Sequence, residues 1–79
     1  MSKQELTEQV ISFVALAYGK DPSQLSAETN FKEDLGGQSI SLVAVAASIE
    51  EELDVMLPLL EVAACGTIGD LADLVEAEM

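Results

Sequence analysis

The side chain best placed to do chemistry in this 79-residue chain is Ser39. It lies in Asp34-Leu35-Gly36-Gly37-Gln38-Ser39-Ile40, where a glycine pair gives way to a helical apolar pattern. That context predicts an exposed hydroxyl at a helix start, with neighbours too small to block it. Gly37-Gln38-Ser39-Ile40-Ser41 half-matches the G-x-S-x-G turn of a nucleophilic serine, but the second glycine is missing. The chain has no histidine, so no Ser-His-acid triad can assemble. No strand pattern precedes the serine, and hydrolysis by Ser39 is not expected.

Other reactive groups are few. With no histidine and one cysteine, Cys65, the usual nitrogen and sulfur sites for zinc or copper are excluded. Glu50-Glu51-Glu52 and Asp54 could attract a divalent cation weakly. Consecutive acids on a helix point in different directions, however, and a solvated acidic face is the better reading. Acid–base work by paired carboxylates needs a pocket larger than so short a chain encloses. Cys65 reads as a small buried residue rather than a reactive thiol. The glycine pair is too short for a phosphate-binding P-loop. What remains is the helix start itself, whose free N–H groups and positive dipole end favour an attached phosphate. Ser39 can thus carry a phosphodiester at low electrostatic cost, or act as a plain N-cap contributing about 1 kcal/mol.

The composition bounds the rest. One small domain spanning 1–79 is expected. Leu, Ile, Val and Phe make up 24 of the 79 residues, enough for a packed core, and only three residues are aromatic, so that core is aliphatic. The formal charge is −12, and all three lysines (Lys3, Lys20, Lys32) precede Glu33. Such a surface repels nucleic acid and anionic membrane, and it favours a basic protein partner. A single cysteine allows no internal disulfide and suits a reducing cytoplasm. The N-terminus does not read as a signal peptide, and the longest apolar run, Leu42–Ala47, is too short to span a bilayer. A cytoplasmic monomer is the expectation.

Four helices must position the serine. Ser2-x-x-Glu5 reads as a capping box opening a helix over 3–18, with Gly19 as its stop. Lys20–Gln38 is a long connection, in which Asp21-Pro22 opens a single turn and Leu25 and Phe31 are apolar anchors. The second helix runs from Ser39 to about Asp54, its core stripe formed by Leu42, Val45, Ala46, Ile49 and Leu53. Ile40, Val43, Ala44 and Ala47 fall on the opposite side, next to Ser39, and an exposed apolar patch there reads as a docking site. Leu59–Ala64 forms a short third helix, broken by Gly66. Thr67-x-x-Asp70 is a second capping box and opens the fourth, over 68–78. No strand pattern is present. The fold class is all-α: three main helices and a short one in a small bundle.

Phe31-x-x-Asp34-Leu35-Gly36-Gly37-Gln38-Ser39-Ile40 resembles the phosphopantetheine attachment motif of acyl and peptidyl carrier proteins. Ile49-Glu50-Glu51-Glu52-Leu53, Leu57-Pro58 and Thr67-Ile68-x-x-Leu71 also sit where those carriers have similar residues, so the likeness covers nearly the whole chain. The resemblance implies a four-helix, carrier-type fold with no catalytic residue. It implies that a phosphopantetheinyl transferase moves 4′-phosphopantetheine from coenzyme A onto Ser39. The thiol of that arm then holds an acyl or aminoacyl group as a thioester for loading and synthase enzymes. Asp34, Leu35, Gly36, Gly37 and Gln38 are the motif around the attachment point. Ile40, Val43, Ala44 and Ala47 match positions that meet partner enzymes, and Glu50, Glu51, Asp54 and Glu61 would rim that surface and meet basic patches on them.

The chain departs from the fatty-acid type in two places. Gln38 stands where those carriers have Asp, and Ser41 and Ala44 stand where they carry acids. Leu-Gly-Gly before Ser-Ile is closer to the peptidyl or aminoacyl branch, whereas the acidity and free-standing length are closer to the fatty-acid type. A specialised fatty-acid, polyketide or peptide pathway is expected. The slim alanines 44, 46 and 47 further suggest that an acyl chain tucks between the second and third helices. The alternative is an unmodified acidic helical module that binds a basic partner.

Overall fold

Capping chemistry decides where the first and last helices begin. The computed structural model describes residues 2–36 and 39–79, with Ser39 described by its backbone alone. Helix α1 (Lys3–Tyr18) opens on a reciprocal box: the Ser2 hydroxyl accepts the Glu5 N–H at 3.1 Å, and the Glu5 carboxylate accepts the Ser2 N–H at 3.4 Å. It ends at Gly19, whose φ of +67° is the left-handed geometry a glycine stop supplies. Helix α2 spans Ser39–Leu53, α3 spans Leu59–Ala64 and α4 spans Ile68–Glu78. Helix α1 packs on both α2 and α4, while α3 bridges α2 and α4.

The core is aliphatic. Val10 and Val14 of α1, Val45 and Ile49 of α2, Val62 of α3 and Ile68, Leu71 and Val75 of α4 are fully buried. Each such side chain contributes roughly 1.5–3 kcal/mol of burial. Phe31, Leu35, Val55 and Leu57 enter this core from the connections between helices. Leu42 and Leu53, expected on the α2 core stripe, are only half-buried and pack against its edge.

The long connection between α1 and α2 is pinned along its length. Asp21 caps a single 3-10 turn (Pro22–Gln24); its carboxylate accepts the Ser23 N–H and hydroxyl at 2.9 Å each. Those bonds, the backbone one first, hold the Asp21 carboxyl below the usual carboxylate range. Further on, the chain docks on the start of α4. The Thr29 carbonyl accepts the Ile68 N–H at 3.0 Å, the Ala27 carbonyl accepts the Gly69 N–H at 2.8 Å, and the Phe31 N–H donates to Gly66 at 3.0 Å. The first turn of any helix leaves backbone donors without intrahelical partners. Here the loop takes two of them, and the Thr67 hydroxyl takes a third, the Asp70 N–H at 3.1 Å. An antiparallel bridge between Asn30 and Thr67 is the only extended pairing among the described residues.

After α2 the chain turns sharply at Asp54, which has a φ of +53°. Aspartate is one of the few non-glycine residues that tolerate this conformation.

The loop–α4 contact gives a direct test at Gly69. A Cβ there would sit 2.9 Å from the Ala27 carbonyl oxygen and 3.3 Å from the Ala27 Cβ. Gly69→Ala gains up to about 1 kcal/mol of helix propensity, but overpacking costs roughly 1–3 kcal/mol and strains the Ala27 hydrogen bond. The expected outcome is a net loss of about 1 kcal/mol in urea denaturation; an unchanged or higher midpoint would mean that the loop backs away freely.

Candidate functional site

The approach to α2 is a turn closed by two side chains. The Asn30 Oδ1 accepts the N–H groups of Lys32 and Glu33, both at 2.9 Å. Asp34 Oδ2 accepts the Asn30 N–H at 2.8 Å, and the Asp34 N–H returns to the Asn30 carbonyl at 2.9 Å. Such Asx bonds replace the backbone partners that a helix or strand would supply. The closed turn sends Phe31 and Leu35, four residues apart, into the core. The Phe31 ring meets Tyr18 at a centroid distance of 6.2 Å, tilted by 33°. Asp34 is therefore a structural member of the motif: it shapes the turn that carries the chain toward α2.

Gly36 then redirects the backbone. Its φ is +84°, a conformation that favours glycine, and beyond its own atoms and those of its chain neighbours none is found within 4 Å of where a Cβ would be. Gly37 and Gln38, the next two motif residues, lie outside the described residues. Ser39 is the first residue of α2 itself rather than the flanking cap position. The first turn of this 15-residue helix carries no acid. The helix's positive end, at Ser39, thus has no carboxylate in its own first turn to oppose a phosphodiester. The residues present fit a phosphate-linked group there.

The rest of the candidate surface lies along α2 and α3. Ile40 is 80% exposed, and Val43, Ala44 and Ala47 are also exposed along the outer face of α2. Glu51, Asp54 and Glu61 are exposed as well. Glu50 differs from them: it is half-buried, and its Oε2 accepts the Leu57 N–H at 2.8 Å.

Between α2 and α3 lies a cleft of about 250 Å³ lined by Leu42, Val43, Leu59, Leu60, Val62 and Ala63. Every lining side chain is apolar. The alanines singled out from the sequence do not build it; Ala46 is buried, and Ala44 and Ala47 face outward. Sequence reasoning missed Asn30, Leu59 and Leu60 as site-forming residues. The Asn30-x-x-x-Asp34 spacing was a readable signal for the first. Leu59 and Leu60 carried no signal beyond opening a short helix.

Among the described residues no three acidic or cysteine side chains converge as a metal site. Cys65, half-buried at the end of α3, donates its thiol to the Glu61 carbonyl at 3.4 Å. Burial, then the negative fields of Asp70, Glu61 and Asp73, push its pKa up to about 11, so the thiol stays protonated near neutrality. No helix among the described residues is long and apolar enough to cross a membrane.

Comparison with known proteins bears directly on this arrangement. The family model of the phosphopantetheine attachment site matches residues 8–75. The chain is similar to an acyl carrier protein of Exiguobacterium sp., 29% identical over 100% of both chains. It is similar to one of Prochlorococcus marinus, 28% identical over 99% of this chain and 98% of the other. It is also similar to one of Clostridium acetobutylicum, 30% identical over 89% of this chain and 91% of the other. A family match running from α1 into α4, on a four-helix frame whose motif turn leads into α2, settles the classification: the chain belongs to the acyl carrier protein family, a carrier rather than a catalyst, whose cofactor is 4′-phosphopantetheine.

Proposed function

We propose that Ser39 carries the phosphopantetheine arm and that the protein delivers acyl intermediates to the enzymes of a specialised biosynthetic pathway in the cytoplasm. The observation that carries this reading is the position of Ser39 at the opening of α2, three residues after the left-handed Gly36 that ends the clamped turn. Transfer forms a bond from the Ser39 oxygen to phosphorus, breaks the pyrophosphate linkage of coenzyme A and releases its nucleotide half. The hydroxyl proton passes to the transferase. The arm's terminal thiol supplies the thioester chemistry; the carrier's own residues hold, orient and present.

Several features support acyl cargo over aminoacyl cargo. The relatives quoted above bear the name acyl carrier protein. The cleft between α2 and α3 offers an apolar seat and no polar partner for an amino group. Gln38, Ser41 and Ala44, where fatty-acid-type carriers bear acids, support a specialised pathway. The outer face of α2 serves as the docking surface: Ile40, Val43, Ala44 and Ala47 are its apolar centre, and Glu51, Asp54 and Glu61 are its charged rim. That balance suits partners with an apolar patch flanked by Arg or Lys, and contacts short-lived enough for a carrier that visits several enzymes.

Three measurements test this reading. Incubation with coenzyme A and a broad-specificity transferase adds one phosphopantetheine mass to the wild type and none to Ser39→Ala. Cys65 gives an internal control, because its thiolate fraction at pH 8 is about 100-fold below that of an ordinary thiol; mild alkylation marks the new arm first. A wild-type protein that stays unmodified under several transferases removes the proposal.

For cargo, each buried methylene stabilises the fold by about 0.8 kcal/mol, so Tm should climb with acyl length until the cleft fills. A Tm indifferent to acyl length removes the cleft as the seat.

For docking, Ile40→Asp should slow transferase or synthase turnover by about 10-fold or more through KM, since it places a charge at the interface centre. Raising salt from 50 to 500 mM should weaken wild-type binding only a few-fold, because few rim charges are involved. A steep salt dependence with an inert Ile40 would overturn the apolar-centre reading.

A further inference from the structure

We infer that Glu50 is a positioning residue: its carboxylate fixes the entry into α3 and thereby sets the width of the apolar cleft. Its importance for cargo rests on the proposed seating of the acyl chain there. The connection from α2 to α3 is short and turns at its first residue, the left-handed Asp54. Helix α3 has only six residues, and Pro58 before it supplies no side-chain cap. So short a helix cannot hold itself in place by its own hydrogen bonds. Among the described residues, the one side-chain hydrogen bond reaching the connection is Glu50 Oε2 to the Leu57 N–H, at 2.8 Å.

The geometry makes this a lever. Leu57 is buried, so its amide needs a partner. Pro58 follows at once, and Leu59 and Leu60, the first two residues of α3, line the cleft. Facing them from α2 are Leu42 and Val43, about two turns before Glu50 on the same helix. One carboxylate thus ties one wall of the cleft to the element that forms the other. Glu51, its neighbour, is exposed and forms no such tie, so the acidic run divides into a structural member and a solvated one.

The test uses the full chain without its arm, so that it reads α3 independently of cargo. Glu50→Ala should speed hydrogen exchange at the Leu57 amide by about 10-fold or more, the loss expected when a buried donor is orphaned. It should also shift the methyl resonances of Leu42, Val43, Leu59, Leu60 and Val62. Glu50→Gln, which keeps an acceptor oxygen and loses the charge, should stay close to wild type in both readouts. Glu51→Gln should move neither. The inference falls if Glu50→Ala leaves the Leu57 amide and these methyls unchanged, if Glu50→Gln behaves like Glu50→Ala, or if exchange rises equally at every amide.

A second arm compares acyl-loaded forms. Glu50→Ala should flatten the rise of Tm with chain length relative to wild type. A wild-type Tm already flat with chain length defeats the cleft seating, while the Leu57 readout still decides the role of Glu50.

Discussion

The long connection before α2 and the N-terminus of α4 each have backbone groups that the other satisfies, and this mutual accounting holds the molecule's working end in place. A helix start leaves N–H groups without partners, and an irregular segment leaves carbonyls without partners. Burying either set alone would cost more than the net worth of a typical hydrogen bond. Thr29 and Ala27 present their carbonyls to Ile68 and Gly69, and both accounts close together. The bare Cα of Gly69 permits the approach. Once this contact forms, Phe31 and Leu35 have a defined place in the core, and the turn between them can aim the chain at α2.

The acids of this chain fall into two populations. Glu5, Asp21, Asp34, Glu50 and Asp70 accept backbone N–H groups and so help build turns and helix starts. Their charges are spent locally on oriented donors. The rest face water. Lys3 meets Asp73 and Glu76 across the α1–α4 contact. The hydrogen bond to Asp73 raises its pKa, so this tie is present at neutral pH and is lost only as pH climbs through that raised value. Both partners are exposed, so the pair adds little to stability. The negative surface that remains favours encounter with basic partners.

Helix α2 carries the tension between folding and function. Its inner face ends in the fully buried Val45 and Ile49, and the fold accounts for both. Its outer face exposes Ile40, and the adjoining α3 exposes Leu60 at 87%. Nothing in the folding of this chain requires large apolar side chains at those positions. Under the proposed function they are surface for a partner or the lip of a cleft for cargo. Helix α3 has only six residues, and the fully buried Val62 together with the Glu50–Leu57 hydrogen bond ties it to the rest of the fold.

Much of this was legible in the residue order, because capping and periodicity are local. Ser2-x-x-Glu5, Thr67-x-x-Asp70, Gly19 and Asp21-Pro22 each announce their element through bonds between residues at most four apart. The apolar spacing sorts α2 into an inner and an outer face for the same reason. The attachment motif was equally readable as a string. Its purpose as a shape was not. That Ala27 and Thr29 complete α4, and that the Glu50 carboxylate accepts the Leu57 N–H, depend on where backbone donors from other elements come to rest. The cleft shows the same limit: its walls are Leu42 and Val43 against Leu59 and Leu60, and not the alanines, because helix–helix packing rather than side-chain size along one helix decides which surfaces meet. Local hydrogen bonding and periodicity set the helices; the burial of distant polar groups, which only the assembled chain brings together, chose the partners.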